Sequence, residues 1–137
     1  MSPDIITVDF RPDLGVFTMR WLSEAGSPAE VQAYYEQALV AAHPHRPSRW
    51  LIDVRRRPNP DPQVAMWFGQ TWLPAVAALA APQPLRLAYL LSPLRQRATF
   101  DNPALAPANA RIMATDQPYV VETFLDEGAA MRWLMSA

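Results

Sequence analysis

Residues 27–55 read SPAEVQAYYEQALVAAHPHRPSRWLIDVR. Ser27, with Pro28 behind it and Glu30 three positions on, is a capping box with proline in the first helical turn. Val31, Tyr34, Tyr35, Ala38, Leu39 and Ala42 then recur at i, i+3, i+4, i+7, i+8 and i+11, the spacing of one helix face. The run His43-Pro44-His45-Arg46-Pro47 stops the helix, because proline cannot donate the next backbone bond. The segment that follows, Arg49 to Arg55, is a short apolar run flanked by charge, which predicts a strand in the interior of a sheet. A capped helix feeding a buried strand is half of a strand-helix-strand unit, so the chain belongs to the α/β class.

On the N-terminal side, Ile5 to Phe10 and Gly15 to Leu22 read as strands joined by the turn Arg11-Pro12-Asp13-Leu14-Gly15, an antiparallel hairpin. In the second strand, alternation puts Phe17, Met19 and Trp21 on one face and Val16, Thr18 and Arg20 on the other. On the C-terminal side, Asp61 caps a helix whose Val64, Trp67, Phe68, Thr71 and Trp72 share a face. Pro74 would cost roughly 3 kcal/mol inside a regular helix, so a kink or break is expected near Trp72-Leu73. Leu85 to Leu91 is a fourth strand. Ser92-Pro93 opens a short helical turn, and Asn102-Pro103 caps a helix to about Ala114. Tyr119 to Phe124 is the last strand, and Asp126 caps a terminal helix with Ala130, Trp133 and Leu134 on one side. The order is β-β-α-β-α-β-α-β-α. It predicts one domain over residues 1–137, a mixed sheet with helices mainly on one face.

The strand Trp50-Leu51-Ile52-Asp53-Val54-Arg55, together with Trp72-Leu73-Pro74, Tyr89-Leu90-Leu91-Ser92, Phe124-Leu125-Asp126-Glu127 and Trp133-Leu134, resembles small bacterial STAS/SEC14-like proteins of unknown function, relatives of anti-sigma-factor antagonists. The resemblance spans nearly the whole chain and rests on the order of elements. It implies a STAS-like fold and a regulatory or protein-interaction role. Anti-sigma-factor antagonists carry a phosphorylatable hydroxyl after an Asp in the loop that follows the third strand. Here Asp53 matches that Asp, but Val54, Arg55, Arg56, Arg57 and Pro58 follow it, with no Ser or Thr.

Composition narrows the chemistry. The 137 residues hold no cysteine and no lysine, so thiolate and lysine Schiff-base chemistry are excluded, as is a P-loop. A net charge of −1 offers no field that would recruit nucleic acid. His43 and His45 are the only histidines, and Pro44 separates them, so no metal or other cofactor is expected. The N-terminus lacks a signal-peptide pattern. The longest apolar run, Leu73 to Ala81, contains Pro74 and is too short to span a bilayer, so membrane insertion is not expected and the expected location is cytoplasmic.

The candidate ligand- or partner-binding residues are Arg55, Arg56, Arg57, Trp67, Trp72 and Ser92. The three arginines follow the most apolar strand, at the sheet edge where ligands of open α/β folds bind, and guanidinium groups suit carboxylate or phosphate. If they bind an anionic partner, Arg55→Ala and Arg57→Ala weaken that binding and leave stability within about 0.5 kcal/mol; the competing reading is a solvated loop whose arginines pair with Asp53 and Asp61, and variants that unfold instead of losing binding would favour it. Trp67 and Trp72 are either core or the wall of an apolar pocket with Tyr89. On the sheet face away from the helices, Arg20, Asp53, Arg86 and Glu122 form either an ordinary salt-bridged surface or a contact between two copies. No Gly-x-Ser-x-Gly elbow is present and no catalytic residue is assigned. The expectation is a non-catalytic regulatory or protein-interaction module whose partner is another protein or a second copy. The alternative is a small-molecule or lipid-binding domain that takes an apolar or anionic ligand.

Overall fold

The computed structural model describes residues 5–136. Five strands, β1 (Ile6–Arg11), β2 (Val16–Trp21), β3 (Arg49–Asp53), β4 (Leu85–Leu90) and β5 (Tyr119–Phe124), form one mixed sheet. Their order in space is their order in the chain. The β1–β2 pair is antiparallel and the other three pairs are parallel. Gly15 closes the hairpin with φ +67, a left-handed turn that costs glycine little, and its N–H donates to the Arg11 carbonyl at 2.7 Å.

Helix α1 (Pro28–Ala42) links β2 to β3. Its cap is the one the sequence predicts: Ser27 Oγ accepts from Glu30 N at 3.2 Å, while the Glu30 carboxylate reaches back to Gly26 N at 3.4 Å. Strand β3 ends at Asp53, two residues earlier than expected. There Asp53 Oδ1 accepts from Arg55 N at 3.0 Å and turns the chain out of the sheet.

The segment from Pro62 to Ala80 stays helical through Pro74. It comprises α2 (Pro62–Trp67), a π-helical stretch (Phe68–Trp72) and α3 (Leu73–Ala80). The irregularity predicted near Trp72-Leu73 is a change of hydrogen-bond pattern, not a break: Leu73 N donates to the Phe68 carbonyl, five residues back. The wide turn ends as α3 begins, so Pro74 lies in the first turn of α3, where its missing N–H is tolerated. Helix α4 (Pro93–Phe100), a 3-10 turn (Pro103–Leu105) and α5 (Ala106–Ile112) link β4 to β5, and α6 (Glu127–Met135) follows.

Strand alternation divides the molecule into two cores. Phe17, Met19, Trp21, Trp50, Ile52, Leu85, Leu87, Tyr119 and Val121 face Val31, Tyr35 and Ala38 of α1 and Phe68, Trp72, Leu73 and Val76 of the α2–α3 segment. Each large side chain removed from water here stabilises by about 1.5–3 kcal/mol. Trp72 is buried in this core and Trp67 packs at its margin.

The opposite face carries Val16, Leu51, Ala88 and Leu90, and α6 covers it with Ala130 and Leu134. The face expected to be an ordinary surface or a contact between copies is therefore largely filled by the chain's own last helix. Arg86 lies over the Trp133 ring at 5.0 Å and donates to the Trp133 carbonyl at 2.7 Å, fixing the end of α6. Glu122 stays exposed on the edge strand. No helix among the described residues is long and apolar enough to cross a membrane.

Candidate functional site

The three consecutive arginines do not act together. Arg55 turns back onto Asp53, with Nε to Oδ1 at 3.0 Å and NH2 to Oδ2 at 2.8 Å. Arg20 reaches the same carboxylate at 2.9 Å and donates to Glu127 with both terminal nitrogens, at 2.7 and 2.9 Å. This cluster pins the start of α6 to the C-terminal ends of β2 and β3. Burial would push the Asp53 carboxyl up, but the Arg55 side chain and N–H and the Arg20 guanidinium outweigh it and hold it below its ordinary range. Glu127 is lowered chiefly by its bonds to Arg20. Arg56 is exposed.

Arg57 turns the other way and is 4% exposed, so it is not the surface group the sequence suggests. Its Nε donates to Glu24 at 3.0 Å and its guanidinium lies over the Trp21 ring at 4.6 Å. Glu24 also accepts from Asn59 N at 3.2 Å. One carboxylate thus holds both the arginine and the loop backbone down on the sheet.

Beneath that loop lies a cavity of about 60 Å³. Its position follows from the topology: the β3–α2 loop, α4 and the C-terminal ends of β4 and β5 converge at one edge of the sheet, the place where open α/β folds accept ligands. Phe68, Val64, Leu105, Ile112 and Val121 supply apolar walls. Tyr35, Tyr89, Arg57, Arg95, Thr99 and Asn109 supply polar groups. The Tyr35 and Tyr89 hydroxyls are 3.2 Å apart and hydrogen-bonded. Burial, reinforced by Tyr89, pushes the Tyr35 hydroxyl well above the ordinary phenol range against the pull of the Arg57 and Arg95 charges, so it remains a protonated donor near neutral pH.

Of the six candidate binding residues, only Arg57 lines this cavity, together with Tyr89, which the sequence places in the wall of an apolar pocket. Trp72 lies behind it, stacked on Phe68 at 5.0 Å, and Trp67 is 6.2 Å from the Tyr35 ring. Ser92 contributes indirectly. It caps α4 by accepting from Arg95 N at 3.0 Å, and so sets the first turn from which Arg95 projects.

Arg95 is the residue the sequence reading missed. It sits in a short polar helix that also carries Arg97, and no motif flags it. It is 5% exposed; its Nε donates to Thr99 Oγ1 at 3.1 Å and its NH1 to the Arg57 carbonyl at 2.6 Å. The arginine of α4 therefore holds the backbone of the loop that roofs the cavity. Among the described residues, no group of three or more His, Cys, Asp or Glu side chains is placed to share a metal ion, and His45 stacks on Phe10 at 4.3 Å.

Comparison of the sequence with protein families and with curated proteins, and of the fold with solved structures, finds no match.

Proposed function

We propose that the protein is a non-catalytic binding module that takes a small molecule into the cavity under the Arg55–Asp61 loop. The observation that carries this reading is the cavity itself: apolar walls with a few convergent hydrogen-bond donors, at the sheet edge suited to ligands. The polar groups suit holding more than reacting. Asp61, the carboxylate at the rim, spends Oδ1 on the Gln63 and Val64 N–H groups at 2.9 and 3.0 Å. The remaining polar side chains of the wall are arginines, tyrosines, Thr99, Thr123 and Asn109, and among the described hydrogen bonds no hydroxyl of these is paired with a base.

The STAS-like resemblance favours a second reading, a regulatory module recognised by a protein partner. Its specific support is apolar exposure beside the cavity, with Leu94 56%, Phe100 43% and Met113 37% exposed. The two readings separate in one experiment. A fragment screen by ligand-observed NMR is run on the intact chain and on Ala65→Leu, which adds volume at the cavity wall. Fragments that bind the intact chain and are lost from a folded Ala65→Leu support the small-molecule site. Fragments that bind both equally, or none that bind either, overturn it.

A further inference from the structure

The cavity contains a charge, on Arg95, that no described carboxylate neutralises. Three charged side chains are buried among the described residues: Asp53, Arg57 and Arg95. Asp53 has Arg20 and Arg55, and Arg57 has Glu24. Among the described residues, no carboxylate forms an ion pair with Arg95. Its described partners are a hydroxyl, a carbonyl oxygen and the Tyr89 ring face 6.0 Å away. Its NH2 nitrogen, with two N–H bonds, makes no hydrogen bond to any described residue. Taking an ion from water costs several kcal/mol even after relaxation, and two neutral acceptors recover only part of that.

We propose, building on the small-molecule reading above, that the ligand is a short apolar carboxylic acid whose carboxylate is held by Arg95 and by the Tyr35–Tyr89 hydroxyl pair. The donors fit. Of the pair's two hydroxyl hydrogens, one is used between the tyrosines at 3.2 Å and the other is free to donate. Together with the open NH2 of Arg95, it provides donors for both oxygens of a carboxylate. Thr99 and the Arg57 carbonyl fix the guanidinium beforehand, so little side-chain entropy is lost on binding.

Size sets the rest of the ligand. At roughly 10–15 Å³ per water-sized group, a 60 Å³ cavity takes about four to six heavy atoms. That is a carboxylate with a chain of one to three further carbons against Val64, Ile112 and Val121. The tail of a longer acid would leave past Phe100 and Met113, which line the cavity and are partly exposed.

The test uses butyrate, its neutral isostere butyramide and inorganic phosphate, titrated into the intact chain and into Arg95→Met by chemical-shift perturbation. Butyrate is expected to bind the intact chain about 10- to 100-fold more tightly than butyramide, the discrimination of one charge-assisted hydrogen bond, and Arg95→Met is expected to abolish that preference. Should that variant fail to fold, the comparison of acid with amide on the intact chain decides alone. Equal binding of butyrate and butyramide, or tighter binding of phosphate, would overturn the carboxylate assignment while leaving the cavity as a binding site. No binding by any probe would remove both.

Discussion

The indole N–H of Trp72 donates to the backbone carbonyl of Tyr35 across 2.8 Å, a buried bond that ties the π-helical turn to the middle of α1. Tyr35 also meets the Trp72 ring edge-on at 5.1 Å and reaches the cavity with its hydroxyl. The contact that positions a cavity group is therefore made by a residue outside the cavity. Trp72→Phe keeps an aromatic ring but loses the donor and part of the packing. It is expected to cost about 1–3 kcal/mol, measured as a lower denaturant midpoint with unchanged slope.

Neighbouring arginines should differ sharply. Arg56→Ala changes an exposed side chain and is expected to stay within about 0.5 kcal/mol of the parent. Arg57→Ala removes a buried group stacked on Trp21 and leaves Glu24 without that partner, and is expected to cost about 1–3 kcal/mol. Thermal or urea melts of the two variants side by side check this. Equal midpoints would mean that Arg57 is held by the loop and not the reverse.

The Asp53–Arg20–Arg55–Glu127 cluster predicts an acid-sensitive fold. Asp53 and Glu127 both have carboxyl groups lowered in the folded state, so each binds its proton more readily when unfolded. Their stabilisation is present above the ordinary carboxylate range and is lost as pH falls through it toward the lowered folded values. Unfolding free energies measured from pH 6 down to 3 are expected to fall more steeply for the parent than for Asp53→Asn. Arg20, Arg55 and Glu127 are each about a third or more exposed, which screens the effect.

The hairpin, the capped helix α1, the strand alternation and the single mixed sheet were legible because each has a local signal: a turn glycine, a capping box, a period. Alternation also placed Arg20, Asp53, Arg86 and Glu122 on one face. What it could not show was that α6 returns to that face, since a helix's apolar stripe does not say which surface it meets. Asp53, Arg55, Arg56 and Arg57 are near neighbours in sequence, yet the turn after Asp53 sends Arg55 and Arg57 to different partners. Arg95 was invisible for the converse reason. Its significance lies in the absence of an ion pair to any described carboxylate, and that is a property of the packed neighbourhood.

Because the strands lie in space as they lie in the chain, every parallel pairing closes a loop of similar length. Met19 meets Ile52, Ile52 meets Tyr89 and Tyr89 meets Thr123, spans of about 33 to 37 residues. Loop-closure entropy grows only logarithmically, so these differ by about 0.1 kcal/mol, and topology gives no crossover a head start. The Arg20–Glu127 bond spans 107 residues and would cost about 1 kcal/mol more to close from an open chain. Once the intervening strands are paired, most of that span is already gathered in. The ion pair at the head of α6 is thus a contact the chain reaches cheaply only after the sheet exists.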